Sequence, residues 1–213
     1  MRKCAILSMD SLADFEAYDY LIDEPMLALG WKTELVSWRN DQVNWSDYAA
    51  VIIRTPWDYQ DDMAGFLKVL ADIEQSTAQL ENSLNVVTWN INKSYLKNLA
   101  AEQVTIVPTL WPNAFDVSNM AGYFEHFATD QIVLKPRVSA NADNTFWLTK
   151  DNYQAKLAAL SQVFASRELM VQPFMADICQ EGEFSLFYFN GQYSHTILKT
   201  PAKGDFRVQE EHG

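Results

Sequence analysis

The chain has 213 residues, 48% of them hydrophobic, and its 28 acidic and 16 basic side chains give a formal net charge of −12. This length fits one large domain or two small ones, and the apolar content is sufficient for a hydrophobic core. The negative charge argues against non-specific nucleic-acid binding, which needs a basic face. No apolar run approaches the roughly 20 residues of a membrane helix.

The two cysteines, Cys4 and Cys179, show neither a disulfide framework nor the spacing of metal ligands. The first residues do not have the pattern of a signal peptide, because polar residues interrupt the apolar run after four positions. We therefore expect two reduced thiols in a cytoplasmic protein that has no membrane partner.

Strand-like runs alternate with helical patterns in the first part of the chain. Strands are predicted over residues 4–8, 33–37, 50–54, 85–88 and 104–107, and helices over 18–29 and 61–75. Strand, helix, strand, helix is typical of a parallel sheet with helices on its faces. The sequence thus predicts an α/β domain over residues 1–83, followed by a connecting helix and strand over 84–114.

The second part of the chain has a different, α+β pattern. Strands over residues 132–135, 145–148 and 169–172 and a helix from 151 predict a small lid subdomain over 115–175. The runs 185–189 and 192–199 then flank Asn190-Gly191, the preferred pair for a type I′ hairpin turn. This hairpin is predicted to begin a third, incomplete subdomain over 176–213.

The hairpin register leaves one question open. Strict alternation from the turn pairs Phe184 with Ile197, which puts Lys199 on the face opposite to Glu183. Either the ladder contains a bulge, or Lys199 and Glu183 serve different parts of a site.

Five short motifs carry a family resemblance. They are Asn92-Lys93, Leu134-Lys135-Pro136, Gln172-Pro173-Phe174, Gly182-Glu183, and Lys199-Thr200-Pro201 followed by Phe206-Arg207. Their order resembles the ATP-grasp superfamily, in particular its glutathione-synthetase-like branch, from about residue 87 to 213 and more weakly at 54–59. The resemblance implies an ATP-grasp fold and an ATP-dependent ligase that converts the carboxylate of a small amino acid or peptide to an acyl phosphate, which an amine then attacks. Its partners would be small carboxylates and amines, and a homodimer is left open.

The resemblance also implies a role for individual residues in binding ATP. Lys93 and Lys135 would contact the phosphates, and Glu183 the ribose hydroxyls. Lys199 and Arg207 would be the catalytic cations that hold the transferred phosphoryl group, since Arg binds two phosphate oxygens at once. Because Pro173 has no N–H, adenine would be read by backbone groups of Gln172, Phe174 and Met175. The side chains of Phe174, Met175 and Ile178 would clamp the faces of the ring.

A substrate site is predicted where the strand over residues 50–54 ends, because ligands bind beyond the carboxyl ends of parallel strands. We expect Arg54 to bind a substrate carboxylate and Asp58 its ammonium, with Trp57 beside them, and Asp58 or Tyr59 to cap the next helix. The alternative is a purely structural turn. His212 resembles the start of the family's His-Gly-Gly loop near the substrate.

The sequence departs from the family in two places. The loop over residues 137–144 lacks the usual glycines, which is expected to limit positive-φ backbone near the phosphates. No metal ligand is predicted within the chain. The Asp and Glu-x-Asn ligands of Mg²⁺ are expected beyond Gly213, with the C-terminal end of the fold missing here; the alternative is a natural protein without the metal site. Two alternatives stay open: a catalytically inactive nucleotide-binding or regulatory ATP-grasp module, and an α/β protein that binds no nucleotide.

Overall fold

A computed structural model describes residues 1–13, 15–202 and 207–208. The chain divides into two compact units, Met1–Tyr95 and Leu96–Gly213. Each unit has a hydrophobic core of its own. The finer division predicted at residues 83, 114 and 175 stays a prediction.

The first unit is built on a four-stranded parallel sheet in the order β2-β1-β3-β4. The central strand β1 is buried from Cys4 to Ser8, as expected when both faces of a sheet are covered. The predicted parallel sheet is confirmed, although the short β4 was not predicted because it contains one apolar residue. The strands are β1 (Arg2–Ser8), β2 (Trp31–Ser37), β3 (Ala50–Thr55) and β4 (Gln79–Glu81).

The helices of this unit follow the predicted pattern in most places. A 3₁₀ turn, Asp19–Ile22, leads into α1 (Asp23–Ala28), and Gly30 with φ +81° follows it. Helix α2 (Met63–Gln75) buries an apolar stripe against the sheet. Its cap is Asp62, which accepts the Gly65 N–H at 2.9 Å, so the predicted cap at Asp58 or Tyr59 is wrong.

Two predicted strands are absent from the described residues. Residues 85–88 lie within α3 (Leu84–Asn90), and residues 104–107, which follow α4 (Tyr95–Ala101), form no strand. Both runs are rich in valine and threonine, which favour strands locally. In α3, however, Leu84 and Val87 pack on the first core together with Ile91, and this packing requires helical spacing.

The second unit contains a three-stranded antiparallel sheet in the order β6-β5-β7. One face packs on α5 and α6 through Phe124, Leu134 and Leu160, all nearly inaccessible to solvent. This arrangement confirms the predicted α+β pattern. Its elements are α5 (Met120–His126), β5 (Gln131–Pro136), β6 (Phe146–Thr149), α6 (Tyr153–Val163) and β7 (Leu169–Pro173).

A separate hairpin of β8 (Glu183–Phe189) and β9 (Gln192–Lys199) follows α7 (Ala176–Gln180). Asn190 and Gly191 both have positive φ, 50° and 74°, as a type I′ turn requires. The ladder shifts register at Phe187, which leaves Ser194 as an extra residue in β9. Phe184 consequently faces Leu198, so the predicted pairing with Ile197 is wrong and the bulge alternative is correct.

Candidate functional site

Lys135 is a half-buried cation of the second unit. In β5, Ile132 and Leu134 point into the core, and the alternation of a strand places Lys135 on the other face, opposite buried Met170. Among the described residues, the Lys135 ammonium has no hydrogen bond and no ion pair. Burial lowers the pKa of Lys135, and the charge of Glu183 partly offsets this effect. A half-buried ammonium without a hydrogen-bonding partner is suited to an anionic ligand.

The bulge in the hairpin brings two further predicted residues together. Glu183 and Lys199 face each other across the ladder, and the Lys199 Nζ lies 2.7 Å from the Glu183 Oε1. Gly182 permits this arrangement, since it has φ +98° and a Cβ there would lie 2.6 Å from the Lys199 carbonyl oxygen. Because Glu183 also acts on Lys135, the site combines two cations with one carboxylate.

Several hydrogen-bonding groups at the end of β7 already have partners within the second unit. The Gln172 side chain donates to the Thr109 hydroxyl at 2.8 Å. Val171 exchanges both backbone hydrogen bonds with Leu110, so the neighbouring Gln172 directs its backbone groups toward β5. The Phe174 N–H donates to the Gln131 carbonyl at 3.0 Å. The Phe174 donor expected to read adenine is therefore already engaged, and the Gln172 donor points into the sheet.

Met175 and Pro173 provide an alternative pair of backbone groups. Within residues 1–13, 15–202 and 207–208, the Met175 N–H donates no hydrogen bond, and its backbone is extended. In an extended segment, groups two residues apart lie on the same edge, so the Pro173 carbonyl and the Met175 N–H form an acceptor and a donor side by side. Sequence reasoning considered only the N–H that proline lacks, although strand alternation would have indicated its carbonyl.

The side chains around this edge are mostly apolar. Met175 and Ile178 are half-buried. The ring of Phe174 stacks on Trp147 with centroids 4.4 Å apart and planes 7° apart, so one face of Phe174 is covered by the protein itself. At most the other face of the Phe174 ring can therefore contact a ligand.

The loop after β5 corrects one expectation from the sequence. Asn141, Ala142 and Asn144 have φ of 49°, 56° and 50° although none of them is glycine. Asp143, between them, forms an ion pair with Arg167 at 3.0 Å. The predicted limit on positive-φ backbone in this loop is thus wrong, because Asn tolerates the left-handed region and the ion pair anchors the loop.

The predicted substrate residues of the first unit lie at the end of β3, with intrachain partners. The Arg54 Nε donates to the Asp19 Oδ1 at 2.8 Å. The Asp58 carboxylate accepts from the Trp38 Nε1 and the Arg39 Nε, both at 2.7 Å. Trp57 packs against the ring of Phe15 at 5.3 Å. Asp58 is therefore already charge-neutralised, and a substrate ammonium would compete there with Arg39.

The structure gives fewer contacts for the remaining predicted site residues. Lys93 stands in the turn before α4, where the Asn92 side chain accepts from the Ser94 N–H at 2.9 Å. Arg207 is half-buried, and His212 lies outside the described residues. No cluster of three or more His, Cys, Asp or Glu side chains that could hold a metal ion occurs in the described part of the chain. In the same ranges, no helix combines the length and apolar character needed to cross a membrane.

Comparison with known proteins identifies relatives for both units. Residues 4–82 match the family described as D-cycloserine synthetase DcsG, N-terminal domain. The cycloserine biosynthesis protein DcsG of Streptomyces lavendulae is 28% identical over 185 residues, which cover 83% of this chain and 60% of that protein. The crystal structure of D-cycloserine synthetase DcsG has a TM-score of 0.82 at 22% identity, over 93% of this chain and 68% of that one.

Two further solved structures share the architecture. D-alanyl-alanine synthetase A from Vibrio cholerae O1 biovar eltor str. N16961 has a TM-score of 0.66 at 13% identity, over 99% of this chain and 70% of that one. The ATP-grasp ligase PsnB, complexed with minimal precursor, Mg and ADP, has a TM-score of 0.55 at 13% identity, over 92% and 72%. The chain therefore has the ATP-grasp fold, and its predicted resemblance to the ligase that forms D-cycloserine is confirmed. It spans about 60% of the length of the curated relative.

Proposed function

We propose that this chain carries the nucleotide-binding machinery of an ATP-dependent ligase that joins the carboxylate of a small amino acid or peptide to an amine. The observation that carries the proposal is the Lys135 ammonium, half-buried and without a hydrogen-bonding partner among the described residues. A group of this kind destabilises the folded chain unless an anion neutralises it. Its position at the end of β5 in an ATP-grasp fold supports a phosphate as that anion.

Lys135, Lys199 and Glu183 would together hold the sugar and phosphate part of ATP. Phosphoryl transfer depends mainly on positioning and on neutralising charge, which ammonium groups at fixed positions supply. The Lys199 Nζ contacts the Oε1 of Glu183, and the Oε2 makes no hydrogen bond within the described ranges, so it can accept from a ribose hydroxyl. Arg207 is proposed as a further phosphate-binding cation, and the role of Lys93 stays a prediction.

Adenine would bind at the end of β7. The Pro173 carbonyl would accept from the adenine amino group, and the Met175 N–H would donate to the adjacent ring nitrogen. Half-buried Met175 and Ile178 would cover the faces of the ring with apolar surface. The Pro173 carbonyl and the Met175 N–H thus replace the predicted donors of Gln172 and Phe174, because neither group has a hydrogen-bonding partner among the described residues.

The proposed reaction has two steps. An oxygen of the substrate carboxylate attacks the terminal phosphorus of ATP, the bond to the bridging oxygen breaks, and ADP leaves. The amine then attacks the acyl carbon, phosphate departs, and the amine loses a proton. The described residues offer no cluster that fits Mg²⁺, so neither step is assigned to a metal here. The names of the D-cycloserine and D-alanyl-alanine synthetases support a small amino acid as the substrate class.

Lys135→Ala tests the nucleotide site. Loss of a charge-assisted contact should weaken ATP binding by about 1–3 kcal/mol, measured by titration calorimetry. Lys150→Ala is the matched control, because Lys150 lies in the same unit, is 54% exposed and pairs with Asp130 at 2.7 Å. An unchanged ATP affinity in Lys135→Ala would remove Lys135 from the site.

A nucleotide-binding module without turnover, the alternative that the sequence leaves open, is the second candidate. ADP release, measured with a panel of amino acids and small peptides, separates the two candidates. The ligase requires ADP that appears only with the correct substrate, whereas the module binds ATP and releases no ADP with any of them.

A further inference from the structure

The carboxylate of Asp19 is buried beside Arg54, the residue predicted to bind a substrate carboxylate. Asp19 is 7% exposed and lies in the 3₁₀ turn before α1. It accepts two hydrogen bonds from the end of β3, from the Arg54 Nε at 2.8 Å and the Thr55 hydroxyl at 2.9 Å. Two hydrogen bonds restrain the buried Asp19 carboxylate, so Asp19 fixes the orientation of the Arg54 guanidinium.

Arg54 presents its other nitrogens to solvent. The bond to Asp19 uses the Nε, and the terminal Nη1 and Nη2 have no partner in the described part of the chain. The Arg54 side chain is 48% exposed and stands at the carboxyl edge of a parallel sheet, where ligands bind. Two planar N–H groups held in this way match the two oxygens of a carboxylate.

A cavity of about 220 Å³ adjoins Asp19. Its wall combines apolar side chains, among them Leu12 and Leu35, with the polar groups of Asp23 and Thr33. This volume is below the range of pockets for drug-sized ligands. A ligand that places its carboxylate on Arg54 and its remainder in the cavity would therefore be small.

We propose that Asp19 is a positioning residue that presents the Arg54 fork to the carboxylate of a small ligand, whose remainder occupies the adjoining cavity. The proposed ligase function supplies only the identity of this ligand as a small amino acid. Asp19 and Arg54 both lie in the first unit, and the bond between them does not depend on a bound nucleotide.

Two substitutions of Asp19 separate orientation from charge. Asp19→Ala releases the Arg54 Nε, while the Thr55 hydroxyl keeps its bond to the Ser8 hydroxyl at 2.9 Å. Asp19→Asn retains an acceptor oxygen for Arg54 and removes only the charge. If Asp19 acts by orientation, Asp19→Asn should rescue what Asp19→Ala loses.

The experiment titrates the full chain with D-alanine in the absence of ATP and follows the Nε–H signal of Arg54 by NMR, assigned by its loss in Arg54→Met. Asp19→Ala should weaken D-alanine binding about tenfold, whereas Asp19→Asn should bind within about threefold of the natural chain. In the Arg54→Met background, followed through neighbouring amide signals, Asp19→Ala should weaken D-alanine binding by less than a further twofold or so. Ethylamine, which lacks the carboxylate, should leave the Arg54 signal in place. Arg2→Met, at the opposite end of the sheet where Arg2 stacks on Trp31, should bind D-alanine normally.

Three outcomes overturn the proposal: no D-alanine shift of the Arg54 signal in the natural chain, undiminished binding in Asp19→Ala, or equal losses in both Asp19 variants. Even if Asp19→Ala fails to fold, the titration of the natural chain still tests whether D-alanine reaches Arg54. Because ATP is absent, failure of the ligase function would leave these results unaffected. Conversely, normal ADP formation together with undiminished D-alanine binding in Asp19→Ala would refute only the positioning role.

Discussion

At the scale of single residues, Lys135 is expected to lower the stability of the ligand-free chain while it contributes to ATP binding. Its half-buried ammonium has no hydrogen-bonding partner among the described residues, and burial lowers its pKa. Lys135→Met should therefore raise the free energy of unfolding of the ligand-free chain by about 1 kcal/mol at pH 7 while weakening ATP binding. Urea unfolding with and without ATP measures both effects, and Lys150→Met, at an exposed ion pair, should change neither.

The pH dependence of the Lys135→Met effect follows from the direction of the pKa shift. The pKa of Lys135 lies below its ordinary value of 10.5 in the folded chain, so the unfolded chain binds more protons between the two values. Stability of the natural chain therefore gains a contribution as pH rises through this window, and the advantage of Lys135→Met should shrink toward pH 10.5. A difference in unfolding free energy that stays constant from pH 8 to 10.5 would contradict the assignment.

At the scale of elements, the hairpin depends on Gly182 more than on Gly191. Both have positive φ, but a Cβ at Gly182 would meet the Lys199 carbonyl oxygen at 2.6 Å, whereas a Cβ at Gly191 would meet open space. We expect Gly182→Ala to cost about 1–3 kcal/mol, to displace Lys199 from Glu183 and to weaken ATP binding. Gly191→Ala should cost only the backbone strain, about 1 kcal/mol, with ATP affinity retained. Urea unfolding and ATP calorimetry on both variants test this, and equal ATP affinities would argue against a role of the Glu183–Lys199 pair.

Elements determined by neighbouring residues were predictable from the sequence. Elements determined by contacts between residues distant in the sequence were not. The turn at Asn190-Gly191 follows from the positive φ that these two residues tolerate. The bulge at Ser194 has no local signal, although it places Lys199 opposite Glu183. The strand predicted over residues 85–88 failed for the same reason, because core packing of α3 overrides the local preference of valine and threonine.

The candidate site shows the same division. The motif around Lys135 is contiguous, so the sequence indicated it directly. The bond from Arg54 to Asp19 joins residues 35 positions apart, and the free edge at Met175 depends on which backbone groups β5 and Leu110 already use. Partners brought together by folding can be found only in the three-dimensional structure.

At the scale of the whole molecule, the position of the boundary between the units decides which piece can fold alone. The sequence places the end of the first domain at residue 83, and the structure divides the chain after Tyr95. The difference is α3 and the turn after it, which contribute buried Ile91 and partly buried Leu84 and Val87 to the first core. The Leu84 N–H is also held by the Glu74 carboxylate of α2 at 3.2 Å. A fragment that ends at residue 83 would expose the core surface that these side chains cover.

We therefore expect a fragment of residues 1–95 to unfold cooperatively and a fragment of residues 1–83 to be less stable by about 3 kcal/mol or more, since several apolar side chains leave the core. Thermal and urea unfolding followed by circular dichroism measure this difference. Within the longer fragment, Ile91→Ala, directly after α3, should cost about 2–4 kcal/mol. Val86→Ala, at an α3 side chain that is 44% exposed, should cost less than about 0.5 kcal/mol. Equal stability of the two fragments would return the boundary to residue 83 and make α3 part of the connection between the units.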